Sequence, residues 1–210
     1  MRDVSAQFAI LVPVKSPSAG KSRLAGVADR AALAAAFATD MVRACLDTDG
    51  VARVLVTTDD AEFADTLRAL GAETTADPGE GLNGALRAAA VEAAARWPLL
   101  RPVAVLADLP SLRPEDLAVA LMAVARYGDR ASFVADADGT GTVLYSAPTE
   151  AFEPRFGPES ARAHRASGCV EIPGAAPSLR RDVDDLASLQ AAAVLGFGPA
   201  TMAALAPEPH

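Results

Sequence analysis

Lysine is nearly absent from this 210-residue chain: of 19 basic residues only Lys15 and Lys21 are lysines, and the rest are arginines. Cysteine and histidine are as scarce. Cys45 and Cys169 stand far apart without CxxC spacing, and His164 and His210 have no partner at zinc-ligand spacing, so neither a disulfide framework nor a zinc site is expected. A basic face is missing too. The 27 acidic residues give a net charge of −8, which argues against nucleic acid as a partner, since phosphate contacts call for clustered cations. Long apolar runs are also lacking: nothing approaches the roughly 20 uncharged residues of a membrane span. No basic leader or cleavage pattern accompanies the short apolar run Phe8 to Val14, and the expected compartment is the cytoplasm.

What is present is 51% hydrophobic residue content in an alternating pattern. Short β-rich runs (Phe8 to Val14, Ala52 to Thr58, a weak Ala72 to Ala76, Val103 to Ala107, Ala131 to Ala135, Thr142 to Ser146) alternate with Ala-rich amphipathic stretches. The latter run from Arg30 to Asp47, Asp60 to Leu70, Asn83 to Trp97, Pro114 to Tyr127, Ser160 to Ser167 and Asp184 to Leu195. Asp29 and Asp59 suit helix N-caps, Gly71 and Gly128 suit C′ positions, and Pro114 suits a first helical turn. This order predicts an α/β protein: one Rossmann-like domain over residues 1–210, with a mostly parallel sheet flanked by helices. The Ala/Pro-rich end, 196–210, is expected to fray.

In such a sheet ligands gather beyond the carboxyl ends of the strands, so the segments that follow strands carry the chemistry. After the first strand comes VPVKSPSAGKSRL. It is not a Walker P-loop, because that pattern requires glycine at position 15, where Lys15 stands. It does bring Lys15, Lys21 and Arg23 together in a Gly/Ser/Pro loop able to hold a triphosphate, although a solvated basic turn has the same composition. In LADLPSL, Asp108 directly follows an apolar strand, where a partly desolvated carboxylate suits Mg²⁺. A second acidic group, Asp182, Asp184 and Asp185, lies in RRDVDDL; Asp182 and Asp184 share one side of an extended segment, so Asp108 and Asp182 are candidates to share a cation, with Asp184 beside them. Pairing with Arg180 and Arg181 is the plainer alternative. In DPGEGLNGAL, Gly79 and Gly81 permit close backbone approach, and the Asn83 amide has the donor and acceptor to read a base edge, unless the segment is only a strand-to-helix turn.

Taken in order, VPVKSPSAGKSRL, GLNGAL, LADLPSL, GTGTVLY, FGPESARAH and RRDVDDL resemble the guanylyltransferases of coenzyme F420 biosynthesis, in the molybdenum-cofactor-type nucleotidyltransferase superfamily, over Phe8 to Leu195. The resemblance implies a fold of the nucleotide-diphospho-sugar transferase type, GTP and Mg²⁺ as ligands, and a small phosphorylated carboxylic acid as acceptor: phosphoenolpyruvate in many bacterial members, 2-phospho-L-lactate in archaeal ones. A homodimer and hand-over of product to the next enzyme of the pathway are further expectations. Carried over by position, the metal aspartates fall on Asp108 and Asp182 and the acceptor contacts on Thr142, Gly157 and Ser160; with the three loop cations read above, the catalytic set is Lys15, Lys21, Arg23, Asp108 and Asp182. The nucleotide set is Pro13, Lys15, Ser18, Lys21, Gly81, Asn83 and Asp108, and the metal set is Asp108, Asp182 and Asp184. For the acceptor, Ser160 is expected to cap the helix running to Ser167, with its hydroxyl and the first free amides forming an anion site. Glu159 places an unfavourable charge beside that turn unless Arg162 or Arg165 pairs with it, and His164 is expected to be structural. Other nucleotidyltransferases acting on a molybdopterin or sugar phosphate, a glycosyltransferase of related fold and a non-catalytic nucleotide binder are the competing readings.

Overall fold

A computed structural model describes residues 7–15 and 30–206. Seven strands form one sheet in the order β3-β2-β1-β4-β6-β5-β7: β1 Phe8–Pro13, β2 Val51–Thr58, β3 Glu73–Ala76, β4 Arg101–Val105, β5 Ser132–Ala135, β6 Thr142–Ser146 and β7 Val170–Glu171. Pairing is parallel except where β6 runs antiparallel between β4 and β5. The helices are α1 Arg30–Leu46, α2 Ala61–Ala69, α3 Gly81–Arg96, α4 Pro114–Arg126, α5 Ser160–Ala166, α6 Pro177–Arg180, α7 Leu186–Leu195 and α8 Pro199–Leu205.

The near-continuous apolar strands are covered on both faces, as their composition requires. Ile10, Val12, Val54 and Val103 pack toward α1, α2 and α4, while Ala9, Leu11, Leu55 and Ala104 pack toward α3. Phe133 and Tyr145 extend that second face toward α5, and a third cluster joins Leu33 and Phe37 of α1 to Leu189 and Ala192 of α7. Each large aliphatic side chain withdrawn from water in this way is worth roughly 1.5–3 kcal/mol.

Local signals account for most boundaries. Pro114 opens α4, with Gly128 just past its end at φ 57°; Gly71, at φ 108°, follows α2. The cap of α2 is Asp60 rather than Asp59, its carboxylate accepting from the Phe63 N–H at 2.9 Å. Asp29 lies outside the described residues. β4 begins two residues before the apolar run, because Arg101 pairs in register with Phe8 and its guanidinium reaches the Ser146 hydroxyl. Of the end expected to fray, residues 207–210 lie outside the described residues; before them Pro199–Leu205 forms α8, and the buried Asp40 carboxylate of α1 accepts from the Ala200 and Thr201 N–H groups at 2.9 and 2.7 Å. Sequence pattern also passed over β7 and α6, which are only two and four residues long. Among the described residues no helix is long and apolar enough to cross a membrane.

Candidate active site

The sheet order reverses between β1 and β4, and the crevice outside their carboxyl ends is the expected ligand position. A cleft of about 290 Å³ lies there, lined by Pro13 and Lys15 after β1, Phe37 of α1, Leu82 of α3, and Leu106 and Asp108 after β4. Pro13 is half-buried at the strand end and Lys15 is exposed. Gly81 opens α3 with φ 73°, where a side chain would be strained. Ser18, Lys21 and Arg23 lie outside the described residues.

The acidic rim is assembled by a long-range bond. The Val183 N–H donates to the Asp108 carbonyl at 3.0 Å, which brings the segment carrying Asp182 against the end of β4. The loop from Asp108 is fastened further by the C-terminal helices: the Ser111 hydroxyl donates to the Ala192 carbonyl at 3.0 Å and the Gly198 N–H to the Pro110 carbonyl at 3.1 Å. Desolvation raises the Asp182 carboxyl to about 7, and the charges of Asp108, Asp184 and Asp136 push the same way. The arginines do not follow the plainer reading. Arg180 donates to the carbonyls of Ala135 and Asp136, and Arg181 lies 3.8 Å from Asp138. Asp184 is exposed, and Asp185 caps α7 through a reciprocal pair of bonds with Ser188.

These hard oxygen donors fit Mg²⁺, because a divalent cation between Asp108 and Asp182 would offset the repulsion that burial sharpens. Among the described residues no group of three or more His, Cys, Asp or Glu side chains forms a metal cage. A cation here would therefore complete its shell from phosphate oxygens and water, as Mg²⁺ commonly does.

The residues expected to contact an acceptor lie on the neighbouring part of the same edge. Thr142 is buried at the start of β6, whose neighbour Val143 accepts through its carbonyl from the Leu106 N–H at 3.1 Å. Gly157 is exposed at φ 137°, and Ser160 is buried. Two details of the expected anion site are corrected. The N-cap of α5 is Glu159, in left-handed backbone at φ 56°, and Ser160 is the first helical residue with no side-chain capping bond. The Ser160 and Ala161 N–H groups are already used: the first donates to the Gly157 carbonyl at 3.1 Å within the turn, and the second to the Thr140 carbonyl at 3.0 Å on the segment before β6. Arg165 pairs with Glu171 rather than with Glu159.

His164 organises this region from within. It is fully buried between the rings of Phe133 and Tyr145, at centroid distances of 5.3 and 4.9 Å. Its Nε2 accepts from the Arg155 N–H at 3.0 Å, which leaves the ring proton on Nδ1, 2.9 Å from the Thr142 hydroxyl oxygen. Burial first, and the Arg155 charge second, lower its pKa to about 4, so the ring is neutral near pH 7.

Asn83 is the largest departure from the sequence reading. Its amide does not stand ready for a base edge: Nδ2 donates to the Phe156 carbonyl at 2.9 Å and Oδ1 accepts from the Phe156 N–H at 2.8 Å. The partners are 73 positions apart and the bond is to backbone, so no residue-type pattern marks it. Asp136 was also missed. Its carboxylate accepts from the Thr140 and Gly141 N–H groups at 3.0 and 2.7 Å and shapes the turn into β6, and the glycines of GTGTVLY were the one available signal.

Comparison with known proteins agrees with this geometry. Residues 8–166 match the family described as "Guanylyl transferase CofC like". A phosphoenolpyruvate guanylyltransferase of Streptomyces coelicolor is 48% identical over 208 residues, covering 95% of this chain and 96% of its own. One from Salinispora arenicola is 45% identical over 199 residues, covering 92% and 91%. Among solved structures, CMP:2-keto-3-deoxy-manno-octonic acid synthetase complexed with CTP superposes with a TM-score of 0.57 at 16% identity, over 90% of this chain and 98% of its own, which shows a shared fold.

Proposed function

Because the chain belongs to the CofC-like guanylyl transferase family, and is thus a nucleotidyltransferase, we propose that it transfers GMP from GTP to phosphoenolpyruvate. The observation that carries this reading is the meeting, at one sheet edge, of the β1/β4 cleft, the Asp108–Asp182 rim, and Thr142 of β6 with the turn of Gly157 and Ser160. The relatives' printed name supplies the acceptor. The resemblance of the motifs implies coenzyme F420 biosynthesis as the setting.

In this reading Pro13, Lys15, Ser18, Lys21, Gly81 and the backbone start of α3 hold GTP beside Asp108, and Thr142, Gly157 and Ser160 hold the acid. An acceptor phosphate oxygen attacks the α-phosphorus in line. The new P–O bond forms as the bond to the β-phosphate bridging oxygen breaks, and pyrophosphate leaves with the electron pair. Lys15, Lys21 and Arg23 gather the charge that grows on pyrophosphate. Asp108 and Asp182, with Asp184 beside them, would hold Mg²⁺, which when bound neutralises charge on the phosphates of both substrates. No general base is needed, because the attacking oxygen is already anionic near neutral pH, and His164 sits within the core as a positioning group.

The test supplies the purified chain with GTP, Mg²⁺ and either phosphoenolpyruvate or 2-phospho-L-lactate. Pyrophosphate release and the mass of the guanylylated product are followed. The expected result is a higher specificity constant for phosphoenolpyruvate. A clear preference for phospholactate overturns the acceptor, and no release with either acid overturns the activity.

A further inference from the structure

The segment from Phe152 to Glu159 between β6 and α5 has no ladder of its own, yet its backbone is closely held. The Glu153 N–H donates to the Tyr145 hydroxyl at 3.2 Å, the Arg155 N–H to His164 Nε2 at 3.0 Å, and the Phe156 N–H to Asn83 Oδ1 at 2.8 Å. Tyr145 and His164 lie in the same half of the molecule as the loop they hold. Asn83 does not: it stands on the first turn of α3, next to Leu82, which lines the β1/β4 cleft. It is also the only one of the three that takes both backbone groups of its target, since Nδ2 donates to the Phe156 carbonyl at 2.9 Å. Phe156 in turn is buried against the edge of the His164 ring, one residue before Gly157.

We propose that Asn83 is the positioning residue that couples the two half-sites, its amide transmitting the placement of the α3 turn at the cleft to the acceptor loop through Phe156. The inference rests on the reading of the cleft as the GTP site and of the loop at Gly157 and Ser160 as the acceptor site. The physical argument is that both ligands require the same clasp. A nucleotide that fixes the turn at Gly81 and Leu82 fixes the Asn83 backbone, and an amide bonded to both the N–H and the C=O of one residue holds the two peptide units flanking its Cα, transmitting position and orientation together, where a single bond would transmit only distance. Ordering the clasp once serves both ligands, so each should bind more tightly when the other is present.

Two measurements test this. In wild type, hydrogen exchange of residues 153–160 should slow on addition of GTP and Mg²⁺, whereas in Asn83→Ala it should be fast with or without GTP. In steady-state kinetics Asn83→Ala should raise KM for the acceptor acid at saturating GTP by roughly tenfold, and KM for GTP at saturating acid by a similar factor, within the usual range of coupling between sites, while the Kd for GTP in the absence of the acid stays within about twofold. Asn83→Asp is the conservative control. It keeps the acceptor for the Phe156 N–H but sets a carboxylate oxygen against the Phe156 carbonyl, so it should fail to restore the acceptor KM although its shape is unchanged.

A wild-type loop whose exchange GTP leaves unchanged overturns the coupling. So does an Asn83→Ala protein with lowered thermal stability and wild-type KM for both substrates, which would make the clasp purely structural. Absence of activity with any acid, alongside GTP-dependent protection of 153–160 that Asn83→Ala abolishes, would instead support the clasp and remove the acceptor assignment.

Discussion

The acidic rim and the acceptor loop share one sheet edge and are built on opposite principles. In the loop, backbone N–H groups meet neutral acceptors on Tyr145, His164 and Asn83, so its shape is held by hydrogen bonds to uncharged groups. At the rim, carboxylates crowd one another and Asp182 is desolvated among Asp108, Asp184 and Asp136. One region is built on hydrogen bonds to neutral groups, and in the other like charges act on Asp182, an effect that a cation would offset. The comparison teaches that positional precision and charge stabilisation are separable here, so substitutions in the two regions should fail in different ways.

The largest expected effect tests the rim. Under the proposed cation-holding role, Asp108→Asn and Asp182→Asn should each lower the rate of pyrophosphate release on the order of 10³-fold, the loss expected when charge stabilisation in the transition state is removed. Unfolding by urea should show no loss of stability for Asp182→Asn, since the change removes a desolvated charge from a repulsive cluster. A variant that is both inactive and unstable would break the contrast by making Asp182 structural.

The complementary test is on the loop. His164→Phe keeps the ring between Phe133 and Tyr145 but leaves the Arg155 N–H without its acceptor and the buried Thr142 hydroxyl without its partner, which should cost about 2–3 kcal/mol of stability. The same position sets a pH dependence. The folded His164 has its pKa lowered to about 4, below the ordinary value of 6.5, so the unfolded chain binds the extra proton first. Its contribution is therefore complete above pH 6.5 and is lost as pH falls toward 4, by about 3 kcal/mol. Subtracting the urea stability of His164→Phe from that of wild type at each pH removes the contribution of other titrating groups, and the difference should shrink over that window.

These regions also differ in how far they could be read from sequence. The parallel half was legible because aliphatic runs and capping residues are local signals: Leu11 and Leu55 announce a doubly covered strand, and Pro114 a helix start. Asp108 was legible by its place after a strand. The loop was recognisable only as a motif. The Asn83–Phe156 clasp and the burial of His164 depend on contacts between distant segments, which leave no periodicity in the chain. Ser160 was misread as a cap because Ser before a helical stretch is normally one; here the left-handed Glu159 takes that position.

Asp40 gives a third, smaller effect that separates burial from repulsion. It is as inaccessible as any carboxylate in the described chain, yet it accepts from the Ala200 and Thr201 amides at the start of α8, where helix polarity favours an anion. Asp40→Ala should cost about 2 kcal/mol, the reverse of the outcome at Asp182, and loosen α8. Gly198→Ala should do similar harm, since its Cβ would stand 2.3 Å from the Asp40 carboxyl carbon.

The smallest expected effect lies at Glu159, where the two principles collide in one residue. Among the described residues it is the only non-glycine residue at positive φ, and it is an exposed negative charge beside Gly157 and Ser160. Left-handed backbone costs a side-chain-bearing residue roughly 1–2 kcal/mol, part of which glycine gives back through its larger unfolded-state entropy. Glu159→Gly should therefore raise stability by about 0.5–1 kcal/mol. Removing the charge should also lower KM for an acidic acceptor by about twofold at low salt, less as ionic strength rises, because an exposed charge is readily screened. Glu159→Ala separates the two contributions: it retains the backbone strain and removes only the charge, so it should reproduce the KM change without the gain in urea midpoint. If Glu159→Ala is as stable as Glu159→Gly, the left-handed turn is not strained. If neither variant changes the acceptor KM or its salt dependence, the Glu159 charge does not act on the acceptor site, and the loop's hold on an acid rests on hydrogen bonding alone.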